Sequence, residues 1–405
     1  MPATSVLQIV LQAKDEASKT IKGISESLNK AGFNAEKFAR GAKIAGVAIT
    51  GMGVALGGKA IQAAANFEKA MSDVNTLFDD NGEAVAKMSK GIKEMLKTTP
   101  KSADDLGASA YAIVSAGIGD ASEALKVLDS AQKLAVAGLG ETAEATDILT
   151  SAINAFGLDA SNSQEIADVF FKAVKSGKTT VSELAQGFGQ VAPLAKSMGV
   201  QFEDLLASVS AMTTSGMKAS VAYSQIRAAL SNLAKPTKDM QDIYEKLGLS
   251  VEDVQKSLSE KGLTGTIRML SDAAGRNQET LAKMFGSVEG LNAVMMLMNE
   301  TGDNATDIFK SMTEEGEALS TAFEKQTKTT SAQFAMLKNN LNVALMELGN
   351  QILPVIVPLV KKLSDFISSM NPKILKWGLG LMMIIGPALT ILAFLPKIIG
   401  GIELM

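Results

Sequence analysis

The sequence predicts an all-α chain: an elongated array of helices and helical hairpins, with apolar helices near both ends and a short N-terminal strand possible. Three observations carry this. From about residue 44 onward Ala, Leu, Met, Glu and Lys dominate, and Gly or Pro punctuates at helical lengths. Similar turns recur at about 40-residue intervals in the middle of the chain. Uncharged apolar stretches lie near both ends.

In chain order, residues 5–13 (SVLQIVLQA) alternate Leu7, Ile9 and Leu11 against Gln8 and Gln12, the period of a short strand. Residues 15–43 read as an amphipathic helix with Ile21, Ile24 and Leu28 on one side. Together they make a first region, 1–43. Region 44–65 is a Gly/Ala-rich apolar helix. Region 66–326 is a helical core with weak hairpin repeats. Within it, helix starts fall near Ser102, Thr142, Thr180 and Ser220, about 40, 38 and 40 residues apart. The turns before the last three, VAGLGET (136–142), VKSGKTT (174–180) and TTSGMKA (213–219), share one logic. Gly closes a helix and Ser or Thr caps the next. A second turn recurs as FGLDAS, MGVQFED and LGLSVED. Each unit is then a helical hairpin, and successive hairpins stack. Pro236 ends that array, and further helix is expected over 239–325. Region 327–370 is a long helix interrupted or kinked at Pro354 and Pro358. Region 371–405 is an apolar, membrane-type segment.

Composition limits the chemistry. The 405 residues contain no Cys and no His. That excludes thiol nucleophiles, thiolate and imidazole metal sites and Ser-His-Asp hydrolysis. A carboxylate or lysine mechanism stays open, but no poised set stands out, so no enzyme, catalytic residue, metal or cofactor is expected. The net charge is −4. Residues 1–43 and 331–405 each carry about +3 and the middle about −10. No specific nucleic-acid binding is expected from that balance. No basic stretch followed by an apolar one opens the chain, so a cleaved signal peptide is not expected.

Several motifs resolve into ordinary structure. Ser176-Gly177-Lys178-Thr179 ends like a phosphate-binding loop, but position 172 is Lys where the pattern needs Gly. It reads as a capped turn. Asp79-Asp80-Asn81-Gly82-Glu83 lacks the oxygen ligand a calcium loop needs at position 77, which is Leu. Asp104-Asp105 and Glu314-Glu315 suit helix starts, where carboxylates meet the positive end of the dipole. Met295, Met296 and Met298 read as core packing.

The two apolar segments supply the candidate functional residues. In Ile44 to Gly58, Gly46, Gly51, Gly53 and Gly57 form a ridge of small residues that lets helices approach closely, in lipid or in a tight soluble bundle. Trp377 to Pro396 runs about twenty residues without a charge, long enough to span a bilayer. Gly386-Pro387 would kink it or divide it into a hairpin lodged inside a protein assembly. Both readings are open for each segment.

The order of motifs resembles the tail tape measure proteins of tailed bacteriophages and prophages. The matching stretches are LQAKDEASKTIKGISESL (11–28), ANFEKAMSDVNTLF (65–78), TTPKSADDLGASAYAIVSAGI (98–118), FGLDASNSQEIADVF, GVQFEDLLASVSAMTTSGM and LAKMFGSVEGLNAVMML (281–297), followed by LKNNLNVALMELGNQILPVIVPLVKKL and GPALTILAFL. The resemblance implies a virion structural protein that acts as ruler and scaffold for the tail tube. It implies tail tube protein, tail assembly chaperones and baseplate or tail-tip proteins as partners, with self-association and contact with a host membrane. It also implies residence in the tail lumen, a cytoplasmic stage during assembly, and release with or before the DNA at infection. Many family members are much longer and carry a wall-degrading domain towards the C-terminus. Two other classes compete with this reading. A membrane-inserting pore-forming effector or toxin would also hide an apolar hairpin, but has no need of the repeated core. An α-helical scaffold protein would not require 377–396.

Overall fold

The computed structural model describes residues 48–78, 82–314 and 316–369. They form sixteen α-helices and one 3-10 turn, with no strand among the described residues. The strand expected at 5–13 lies outside them, as does the amphipathic helix 15–43. Two compact units are present, Ala70–Met336 and the described parts of Met1–Lys69 with Leu337–Met405.

Within Ala70–Met336 the chain alternates between two layers. Helices α2 (Glu83–Leu96), α4 (Ala121–Ala137), α6 (Ser163–Ser176) and α8 (Phe202–Thr214) pack side by side in one layer. Helices α3 (Ala103–Ser115), α5 (Thr142–Phe156), α7 (Val181–Ser197) and α9 (Ala219–Ala234) form the other, which α13 (Val288–Leu297) continues. Consecutive helices therefore make stacked hairpins. The second-layer helices start at 103, 142, 181 and 219, spacings of 39, 39 and 38 residues.

Local chemistry explains the periodic starts. Ser102 accepts from the backbone of Asp105 while Asp105 accepts from Ser102 N, and Thr180 with Glu183 repeats this reciprocal cap. Each pairing satisfies two donors that a helix start leaves orphaned. Thr180 sits in the SGKTT turn, so that motif is a helix cap. At the far ends Gly157, Gly199, Gly216 and Gly248 have left-handed backbone, as expected of the repeated turns, whereas Gly138 and Gly177 close their helices with negative φ.

After α9 the chain shortens its stride. Residues 239–325 fall into α10 (Lys238–Lys246), α11 (Val251–Ala273), α12 (Gln278–Phe285), α13, α14 (Glu300–Thr313) and α15 (Ala318–Thr327). Helix α14 returns over α8 and α6, and α15 over α6 and α4. The first layer is thus covered on both faces from α4 to α8. Helix α8 is buried nearly all round, from Phe202 through Thr213 save Glu203, and its small Ala, Ser and Thr side chains admit neighbours on every side.

The core centres on aromatic rings from four successive helices. Phe156, Phe170, Phe188 and Phe202 lie with ring centroids 5.1 to 6.4 Å apart, mostly edge to face, and Tyr223 stands 6.1 Å from Phe188. One ring per helix joins the two layers at a single point.

Helix α1 (Ala48–Asn75) precedes the array and α16 (Thr330–Ser369) follows it. The long helix expected over 327–370 is present as α16, which continues past both Pro354 and Pro358. They stand one turn apart, so both lost donors fall on one face and the bonds of the opposite face continue the helix.

Candidate functional site: a ladder of stacked hairpins

The repeat is fixed by polar rungs as well as by packing. Thr99 Oγ1 donates to Gln132 Oε1 at 2.7 Å, and Ser130 Oγ to Ser163 Oγ at 3.1 Å. Asn154 Nδ2 donates to the carbonyl of Ala116 at 2.9 Å, and Ser210 Oγ to that of Ala173 at 3.2 Å. Lys178 N donates to Thr213 Oγ1 at 3.1 Å, and Lys101 Nζ to the carbonyl of Gly140 at 3.2 Å. Partners in these rungs are 33 to 39 residues apart, close to one repeat. The Ser182 hydroxyl also bonds the Glu144 carboxylate. Such bonds fix register because a hydroxyl left buried without a partner is costly.

Close approach adds to that register. A Cβ on Gly138 would stand 2.4 Å from Val181 Cγ2, and one on Gly177 would stand 2.8 Å from Thr213 Oγ1. These glycines occupy the same place in successive turns, 39 residues apart. Each lets the next unit seat on the helix end before it.

Two buried carboxylates tie the later helices to the ladder. Asp168 on α6 accepts from Leu319 N at 2.8 Å, and its other oxygen lies 3.1 Å from Lys172 Nζ. Lys172 in turn donates to the carbonyl of Glu314 at 2.7 Å and, more weakly, to that of Met312 at 3.4 Å. Asp204 on α8 accepts from Leu263 N at 2.5 Å. Burial raises the Asp204 pKa to about 6, against the bond from Leu263, with neighbouring Glu203 adding to the rise. Helix α11 breaks at Gly262, whose φ is +72°, so that Leu263 opens a second helical stretch with its N–H on that carboxylate.

Gly262 has no room for a side chain. A Cβ there would stand 2.7 Å from Asp204 Oδ2, and the backbone is left-handed. Gly262→Ala is expected to lower stability by about 3 kcal/mol. Gly275→Ala, left-handed but facing open space, is expected to cost about 1 kcal/mol. Urea midpoints of the two variants check the contrast.

Among the described residues no group of three or more Asp or Glu is placed to hold a metal ion. A break in α7 at Gln186-Gly187 opens a cleft of about 220 Å³ lined by Gln186, Gly187, Gln190, Ser220, Tyr223, Ser224 and Arg227. Those groups can donate and accept hydrogen bonds but bring no carboxylate or amine beside a hydroxyl. Of the two pairs of acids read as helix-start residues, Asp104 and Asp105 occupy the first turn of α3 as expected, whereas Glu314 caps the C-terminal end of α14 and Glu315 lies outside the described residues. Met298 is buried and Met295 and Met296 are half-buried.

The sequence-derived site residues are not brought together. Gly51, Gly53 and Gly57 lie along α1, while Gly46, Trp377, Gly386 and Pro387 are outside the described residues. No described helix is long and apolar enough to cross a membrane. Residues 44–47 of the first apolar segment lie outside the described residues, and its uncharged run, Ile44 to Gly58, is shorter than the ~20 residues a span needs. Segment 377–396 lies beyond the described residues.

Comparison with known proteins decides the family. Residues 83–286 match the family model of the phage-related minor tail protein, from the first residue of α2 to the glycine that closes α12. The chain belongs to that family. The matched span is the hairpin ladder with α10–α12, so the family pattern and the repeated architecture coincide. The chain is also 27% identical over 369 residues to a probable tape measure protein of Clostridium phage phiCD119, covering 85% of this chain and 39% of that protein. It is 26% identical over 367 residues to the tape measure protein of Pneumococcus phage Dp-1, covering 85% and 32%. A probable tape measure protein of Escherichia phage P2 is 24% identical over 277 residues, covering 66% and 34%. The tape measure resemblance read from the motifs is therefore borne out. The chain spans about a third of the length of these relatives. No solved structure matches it.

Proposed function

We propose that this family member serves as a tail tape measure, setting tail length and scaffolding assembly of the tail tube. The match to tape measure relatives over 85% of the chain carries this reading. In it the protein is structural and not catalytic. It resides in the virion tail lumen after a stage in the host cytoplasm. Its partners are the tail tube protein, tail assembly chaperones and baseplate or tail-tip proteins, with further copies of itself. Contact of 377–396 with a host membrane during ejection belongs to the same reading, on the strength of its uncharged run.

Helix α16 is the simplest place to test length. Its 40 residues form one helix, and a helix rises 1.5 Å per residue, about 60 Å in all. The compact helices of 239–325 offer no such linear relation. Deleting residues 337–364, four whole heptads, is expected to shorten assembled tails by about 42 Å in electron micrographs. Duplicating the same stretch is expected to lengthen them equally. Intact tails of unchanged length in both variants would overturn the ruler reading. A pore-forming or general scaffold role predicts no relation to length.

A further inference from the structure

Helix α15 is held to the ladder very differently from the other returning helix. Helix α14 buries Gly302, Ala305, Ile308 and Met312, whereas α15 buries Leu319 alone. What fixes α15 is chiefly polar. The Asp168 carboxylate takes the Leu319 N–H, and Gln164 Nε2 lies 3.5 Å from Ser320 Oγ, the outer limit of a hydrogen bond. Lys172, one helical turn beyond Asp168, takes the carbonyls of Met312 and Glu314. The i,i+4 pair Asp168–Lys172 therefore grips both sides of the α14–α15 connection: the lysine holds the carbonyl end of α14 and the aspartate the amide end of α15. Both charges are nearly buried, at 9% and 12% side-chain exposure. The connection itself is exposed at Glu314, Gly316 and Glu317.

We propose that α15 is a releasable strap and that Asp168 and Lys172 are its catch. Leaving its seat exposes to solvent only one fully buried leucine of its own. The same step frees 316–329, between α14 and α16, as a tether. It also uncovers the side of α4 and α6 on which α15 lies. The ladder keeps its rungs, since none of those bonds involves residues beyond Thr213. Local opening of this kind takes place wherever few apolar contacts oppose it.

Hydrogen exchange on the full chain, followed by mass spectrometry, tests it. In the unaltered protein the amides of 318–327 are expected to exchange at least about tenfold faster than those of α8. Lys172→Met is expected to speed 318–327 by a further factor of about ten, leaving α5 and α8 unchanged. Leu319→Ala is expected to act in the same place. Exchange of 318–327 at the rate of α8 in the unaltered protein would overturn the proposal, without reference to any variant. So would a Lys172→Met chain that exchanges faster throughout, because the pair would then hold the whole fold and not a strap.

Discussion

Phe188→Ala is expected to be the most damaging single truncation in the ladder, costing about 4 kcal/mol of stability. Its ring is 1% exposed and lies within 6.4 Å, centroid to centroid, of Phe156, Phe170, Phe202 and Tyr223. Removing it leaves a cavity bordered by rings from both layers, which cannot all close on it at once. Phe334→Ala is the control. That ring is 68% exposed, and its loss should change stability by no more than about 0.5 kcal/mol. Urea midpoints measure both. Equal shifts would mean that the aromatic cluster is not the centre of the fold.

The second large effect is on pH dependence. The Asp204 pKa, about 6 in the fold, stands above the ordinary value of 3.8. Between those values the folded chain keeps a proton that the unfolded chain has lost. Stability from this group is therefore full below about pH 3.8 and is lost as pH rises through 6, a change of about 3 kcal/mol. Asp120, Asp159, Asp253 and Glu279 act in the opposite sense. Hydrogen bonds hold their pKa values below the usual range, so the stability they add is present above it and lost as pH falls. Asp204→Asn isolates the one group, because the amide oxygen still accepts from Leu263 N. The expected result is a variant that gains on the unaltered protein as pH rises from 4 to 7 and keeps a constant margin above. Parallel stability curves from pH 4 to 8 would show that Asp204 does not titrate in that interval.

Much of the ladder could be read from residues alone because its signals are local. Ser102 and Thr180 mark helix starts through caps that involve only the next three positions, Glu141 with Glu144 does the same one residue before Thr142, and Gly157 and Gly199 end helices through their own backbone freedom. A period near 39 residues follows from repeating such signals. The return of α14 and α15 had no local sign, since it depends on which face of α6 and α8 is left to be covered. Asp168 shows why. In IADVFF it is one polar residue among apolar ones, a pattern that hints at a buried carboxylate but cannot name Leu319 as its partner 151 positions away. Asp204 stands in the first turn of α8, where any acid suits the helix dipole, so its long-range bond was hidden behind an ordinary reason.

The separation of partners along the chain also sets an order of events during synthesis. Every rung of the ladder can form once about one further hairpin has left the ribosome, so the array is able to grow unit by unit behind the elongating chain. The Asp168 carboxylate must wait for Leu319, 151 residues later. At ~5–20 residues per second that is a delay of roughly 8 to 30 s. Through that interval a nascent ladder presents the uncovered side of α4 and α6 to whatever binds newly made chains, and the arrival of residue 319 closes that period.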